Sequence, residues 1–255
     1  MNRRRTPVRR QIAVATWRPS RDGRIYARME VDVSAALAYL ERVRAESGER
    51  VTLTHLVGAA LGRALRDVPE IRARVVFGRL VPLESCDVGF AVDIGKGSDL
   101  APVKVADVDR LSPLEVARAV DAGAARLRRG TDVAYRRTSR LVHLVPAWTM
   151  RPVMAASSLV SGGLGRGLVG QPGFPLGTAF VSNVGTLGLD EAFLAPLPFA
   201  RTPVYLAVGA VQDRAVVVDG VHAGRMATVV RELVTHPERL DHPTGSGLSA
   251  EQPQP

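Results

Sequence analysis

The 255-residue sequence predicts an α+β fold, a two-layer sandwich with helices on one side of a mixed sheet. Two observations carry this expectation. Segments with apolar residues at helical spacing are separated by strands. Several of those strands are joined to each other by hairpins.

The elements follow in chain order. Residues 1–11 form a basic arm containing Arg3-Arg4-Arg5 and Arg9-Arg10. After Gly23, the apolar Ile25, Ala27, Met29, Val31 and Val33 alternate with Arg24, Tyr26, Arg28, Glu30 and Asp32, the period of a half-buried strand. Ser34 is expected to cap a helix with Leu37, Leu40 and Val43 on one face and Gly48 as its stop. A second helix is expected from Thr54, with Leu56, Val57, Ala60, Leu61, Ala64 and Leu65 at helical spacing up to Pro69. Gly58, Ala59, Ala60 and Gly62 keep that helix slim enough to pack closely on a sheet. Val75-Val76-Phe77 and Val81-Pro82-Leu83 read as a hairpin around Gly78, and Asp87 to Ile94 and Ala101 to Val105 as strands around the Gly95-Lys96-Gly97-Ser98 turn. Ser112, Pro113 and Glu115 combine an N-cap, a first-turn proline and a capping-box partner, and Gly130 ends the helix they open.

Residues 131–176 depart from this pattern. Leu141 to Leu168 is apolar but broken by Pro146, Arg151, Pro152 and Gly162-Gly163. It reads as a flap over the domain's own core or as a hairpin for a membrane surface or partner, the flap being preferred. Thr178 to Val181 is then a strand running into the polar corner Ser182-Asn183, closed by Gly185. Strands at Val204 to Val208 and Ala215 to Val218 and a helix from Val221 to Val234 complete a domain spanning 12–240. The tail, 241–255, is rich in Pro, Gly, Ser and Gln and is expected to be disordered.

Composition narrows the function classes. The chain is 46% hydrophobic and 23% charged, ordinary for a soluble globular protein. Its one cysteine, Cys86, excludes an intramolecular disulfide, fits a reducing compartment and reads as a small buried hydrophobe. The net charge is +9, and all but two of the 34 basic residues (Lys96 and Lys104) are arginine. The basic arm lacks interleaved aromatics, so it reads as a solvated tail rather than a nucleic-acid site. An arginine-rich surface is compatible with an anionic substrate. With no apolar run after the basic start and none long enough to span a bilayer, a cytoplasmic location is expected. No Cys/His cluster has ligand spacing, so no metal site is expected.

The most informative stretch is Gly177 to Gly185. A hydroxyl and an amide at a strand end beside a glycine are well placed to donate to a developing oxyanion. The competing reading is a strand ending in a turn.

Four segments together resemble the catalytic domain of the 2-oxoacid dehydrogenase acyltransferases, which is related in fold to chloramphenicol acetyltransferase. They are Val51-Thr-Leu-Thr-His-Leu-Val through Val68-Pro-Glu, Asp87-Val-Gly-Phe-Ala-Val-Asp through Leu100-Ala-Pro-Val, Ser112-Pro-Leu-Glu-Val-Ala, and Gly177-Thr-Ala-Phe-Val-Ser-Asn-Val-Gly. The resemblance runs from about Arg9 to Leu240. It implies a homotrimer with sites between subunits, and partners among the components of a 2-oxoacid dehydrogenase complex. It also implies acyl transfer between a dihydrolipoyl thiol and coenzyme A. In that chemistry a histidine takes the thiol proton and Ser182, beside Asn183, holds the oxyanion.

The resemblance has gaps. The basic arm stands where the family carries lipoyl and subunit-binding domains, so a free-standing acyltransferase or a relative with another donor is expected, and 131–176 is longer than the family's usual link. The family signature Asp-His-Arg-x-x-Asp-Gly is met by Val218-Asp219-Gly220, but the position four before Asp219 is Ala215. One Val-Asp-Gly stands where two are expected, as though a hairpin arm and the histidine strand were lost between them. His222 is then the surrogate base by proximity in sequence, against a plainer reading as a surface histidine in the first turn of the last helix. His55, beside a threonine N-cap, is expected to be structural. The leading expectation is a coenzyme A-dependent acyltransferase with impaired base chemistry. The alternative is a non-catalytic trimeric scaffold of the same fold. A nucleic-acid-binding module rests on the basic arm alone.

Overall fold

The computed structural model describes residues 25–77, 79–95, 100–129, 152–153, 155–167, 173–197, 200–213 and 225–241. The central sheet has four strands, β3 (Val88–Asp93), β4 (Leu100–Val105), β5 (Ala179–Asn183) and β6 (Val204–Val208), in the order β4-β3-β5-β6. β3 and β4 are an antiparallel hairpin, while β3–β5 and β5–β6 are parallel, so the sheet is mixed as expected. A separate antiparallel ribbon is formed by β1 (Ala73–Val76) and β2 (Arg79–Pro82). The helices are α1 (Ser34–Ser47), α2 (Leu53–Asp67), α3 (Pro113–Arg128) and α4 (Arg225–Thr235). No helix of the described residues is long and apolar enough to cross a membrane.

Helix α2 is the centre of the helical layer. Leu56, Ala59, Ala60, Leu61, Ala64 and Leu65 are fully buried in one core with Val88, Phe90, Ala179 and Val181 of the sheet. Its slimness is used: a Cβ on Gly58 would lie 2.3 Å from Phe90 Cε1, and one on Gly62 would lie 2.8 Å from the backbone of Val108 and Asp109. Its N-cap is Thr52 and its first residue Leu53, one residue earlier than the periodicity suggested. His55 explains why. Its Nδ1 accepts from the Thr52 N–H at 3.2 Å, completing a capping box with Thr52. Helix α3 begins as expected, Ser112 Oγ accepting from Glu115 N–H at 3.3 Å and Glu115 Oε2 accepting from Ser112 N–H at 2.8 Å. Gly123 lets α3 approach Val103 of β4.

Other expectations change. Residues 25–33 are not a strand. Met29, Val31 and Val33 are half-buried against the core while Glu30 and Asp32 are exposed, so the period of two survives in burial. No neighbouring strand among the described residues completes a ladder with them, and Ile25 is 98% exposed. The N-cap of α1 is Val33, not Ser34; Ser34 is the first helical residue, and its N–H donates to Asp32 Oδ1 at 2.8 Å. The buried face of α1 is Ala36, Tyr39 and Leu40, with Leu37 outward, because α1 meets α2 and α4 rather than the sheet. Gly48 does end α1, at φ 70°.

Of 131–176, the described part includes a π-helical turn, Ser158–Gly163, packed against β1 and not in the main core. The strand expected at Ala215 to Val218, the arm 1–11 and the tail beyond Asp241 lie outside the described residues.

Candidate active site

The Gly177–Gly185 stretch is built as a rod anchored at both ends. Gly177 sits at φ 76°, and a Cβ there would lie 2.6 Å from the Asp87 carbonyl oxygen, so only glycine fits. Thr178 is buried and its hydroxyl donates to the Ser85 carbonyl at 2.8 Å. The strand then pairs with β3 from Ala179 to Val181 and with β6 from Ala179 to Asn183. At its far end Asn183 Nδ2 donates to Thr54 Oγ1 at 2.8 Å, in the first turn of α2. Asn183 Oδ1 accepts from Thr186 N–H at 3.2 Å, and Val184 N–H donates to the Val208 carbonyl at 2.8 Å. Gly185 closes the corner because its Cβ would lie 2.6 Å from the Gly209 carbonyl oxygen.

This anchoring decides where Ser182 points. Asn183 faces α2, and Ala179 and Val181 lie in the core with it. Side chains alternate along a strand, so Phe180 and Ser182 project from the opposite face. Phe180 meets Tyr205 there, with ring centroids 5.9 Å apart. Ser182 is half-buried, and none of the described residues makes a hydrogen bond to its hydroxyl. Its registered neighbour on β6 is Ala207, and Ala91 lies one residue beyond the last β3–β5 pair, Phe90 with Val181. Small neighbours and the end of the β3–β5 ladder leave room at that hydroxyl.

The other sequence candidates separate. Asn183 is brought to the corner, but its amide is engaged with Thr54. Asp219 and His222 lie outside the described residues. The described histidines are His55 and His236. His55 is buried, and desolvation pushes its pKa down to about 4. His236 is exposed and pairs with Glu238 at 3.5 Å. No hydrogen bond or ion pair joins either to Ser182. Thr54 is the site residue that sequence reading passed over; its only signal was its place at the start of α2. Cys86 is buried, and burial pushes its thiol up to about 11, which suits a core residue and not a nucleophile. No group of three or more His, Cys, Asp or Glu among the described residues is arranged to hold a metal ion.

A family model described as the 2-oxoacid dehydrogenases acyltransferase catalytic domain matches residues 3–133, more than half of the chain. No curated protein matches the sequence. Among solved structures, a probable dihydrolipoamide acetyltransferase from Listeria monocytogenes 4b F2365 is similar at 16% identity and a TM-score of 0.49, over 74% of this chain and 65% of that one. This chain therefore spans less than two thirds of that relative. The Azotobacter vinelandii dihydrolipoamide acetyltransferase is similar at 17% identity and a TM-score of 0.53, over 82% of this chain and 80% of that one. The latter likeness establishes the shared, chloramphenicol acetyltransferase-like fold. With the matched segment covering the α2, β3–β4 and α3 motifs, the chain belongs to the 2-oxoacid dehydrogenase acyltransferase catalytic-domain family.

Proposed function

We propose that this protein transfers an acyl group between thiols, with coenzyme A as one carrier and a dihydrolipoyl group as the other. Ser182 is the donor that steadies the tetrahedral oxyanion. The observation that carries this reading is the orientation of Ser182. Its hydroxyl stands on the face away from the helices, at the end of a strand pairing, on a backbone held at both ends. A donor fixed before reaction costs no reorganisation when charge develops. Asn183 contributes by holding that corner against α2. In the Azotobacter enzyme a serine, a histidine and an asparagine have been investigated for their role in catalysis. Ser182 occupies the serine of the family motif, and Asp219 stands where the signature's last acidic residue belongs.

The base is where this chain departs from the family. A coenzyme A thiol resembles a cysteine, with a pKa near 8.5, so most of it is protonated at neutral pH. General-base catalysis supplies about 10²–10⁴-fold. With alanine at 215, His222 is the surrogate nearest in sequence, and turnover well below that of a complete family member is expected. Assembly as a homotrimer, with the reacting thiols meeting between subunits, accounts for an open Ser182 face. Exposed Ile25, Phe193, Leu187 and Leu189 suit burial in such an assembly.

The test is acetyl transfer from acetyl-CoA to dihydrolipoamide, followed from pH 6 to 9 beside direct acetyl-CoA binding. The reading expects saturable binding and a slow rate that rises with pH as thiolate forms. Saturable binding with no transfer at any pH would instead favour a non-catalytic scaffold, the second reading, which the alanine at 215 specifically supports.

A further inference from the structure

Arg74 is a cation in an unfavourable place. It is the second residue of β1 and only 9% exposed, between the less buried Ala73 and the exposed Val75. Its Nε and Nη1 are sealed from solvent and have no hydrogen-bond partner among the described residues. The charge that acts on it is a second cation, Arg201; burial first, then that repulsion, holds its guanidinium below the usual arginine range. A buried charge with no counter-charge is strongly unfavourable and persists only where something compensates it.

The surroundings are shaped around this group. The Arg74 guanidinium lies over the Phe174 ring, with Cζ 4.1 Å from the centroid. Arg201 is tied to the same hairpin by Nη1 donating to the Val75 carbonyl at 2.9 Å. The guanidinium of Arg201 also lies against Gly163, in the π-helical turn Ser158–Gly163 that packs on β1. Four non-glycine residues among those described have positive φ, and two of them, Phe174 at 52° and Arg201 at 51°, are Arg74's own neighbours. Left-handed backbone in bulky residues costs energy and gathers at binding sites, as π-helical turns do.

We propose that Arg74 and Arg201, with Phe174 and the π-helical turn, form a binding site for a small molecule bearing an oxyanion, either phosphate or carboxylate. A guanidinium is permanently charged, and its planar fork of N–H donors matches such oxygens. Phe174 holds the plane of Arg74 from one face, and Nη2, the one guanidinium nitrogen of Arg74 not sealed from solvent, is the donor left to meet the ligand. The site is separate from Ser182. Thr202, next to Arg201, donates to the Gly177 carbonyl at the start of β5, whereas Ser182 pairs with Ala207 near the end of β6. The two levels are five residues apart along the chain, at about 3.3 Å per strand residue. The inference does not depend on the proposed acyl transfer.

The experiment is calorimetric titration of the full chain with inorganic phosphate and, separately, with acetate at matched ionic strength. One of the two is expected to bind saturably, one per chain, which distinguishes phosphate from carboxylate chemistry. Arg74→Met and Arg201→Met are each expected to weaken that binding at least ~10-fold. The bound anion is expected to raise Tm in wild type and not in Arg74→Met. In chloride buffer alone, Arg74→Met is expected to melt no lower than wild type, because it removes a buried charge. Absence of saturable binding by either anion, undiminished binding in Arg74→Met, or a lower Tm of Arg74→Met in chloride would each overturn the proposal. The last result would mean that a carboxylate of the protein itself pairs with Arg74.

Discussion

Asn183 Nδ2 donates to Thr54 Oγ1 at 2.8 Å, across 129 residues of sequence. This one bond ties the end of β5 to the first turn of α2, so the corner that carries Ser182 is held by the helix packed beneath it. Removing either partner leaves a half-buried polar group unmatched. Asn183→Ala and Thr54→Val are each expected to cost about 1–3 kcal/mol in urea unfolding. Their combined cost should fall short of the sum by about 0.5–1.5 kcal/mol. Strict additivity would show that the bond contributes nothing.

Gly58 and Phe90 set how closely α2 approaches the sheet. A Cβ on Gly58 would lie 2.3 Å from Phe90 Cε1, and Phe90 is 1% exposed with no room to retreat. Gly58→Ala is expected to destabilise by about 1–3 kcal/mol through overpacking. Adding Phe90→Leu should recover part of that loss. An unchanged midpoint in Gly58→Ala would mean that the helix stands further off than the structure places it.

His55 makes stability depend on pH in one window. Its folded pKa, about 4, lies below the ordinary 6.5, with burial the main cause, Arg50 adding to it and Asp121 opposing it. The unfolded chain therefore takes up the proton first as the pH falls. The contribution of His55 is complete above pH 6.5 and is lost progressively toward pH 4, up to about 3 kcal/mol. His55→Gln keeps an acceptor for the Thr52 N–H but does not titrate. Urea midpoints at pH 7.5, 5.5 and 4.5 should fall more steeply in wild type than in this variant. Parallel curves would place the acid sensitivity elsewhere.

Much of this was legible in the sequence because it is local. The Ser112–Glu115 box, the stop at Gly48 and the slim face at Gly58 and Gly62 are each decided by a few adjacent residues. The Gly177–Gly185 stretch was legible as a strand and a corner, since glycine is demanded at both ends. The alternation from Ile25 to Val33 points to a half-buried strand, but only Met29, Val31 and Val33 turn to the core, Ile25 and Ala27 stay exposed, and no strand forms. Burial follows the pattern of side chains, whereas a strand also needs a neighbour to bond, which alternation does not report. Thr54 was missed because its partner, Asn183, is distant in sequence. Arg74 was one arginine among many. Its isolation from carboxylates among the described residues emerges only when β1, Phe174 and Arg201 are brought together.

Ser182 offers the most direct test of the account. Steady-state acetyl transfer between coenzyme A and dihydrolipoamide is to be measured for wild type and Ser182→Ala, with acetyl-CoA affinity measured in parallel. The account predicts that kcat falls about 10²–10³-fold while acetyl-CoA affinity stays within about twofold, because a donor to the oxyanion acts only as charge develops. Equal kcat in the two proteins would contradict it.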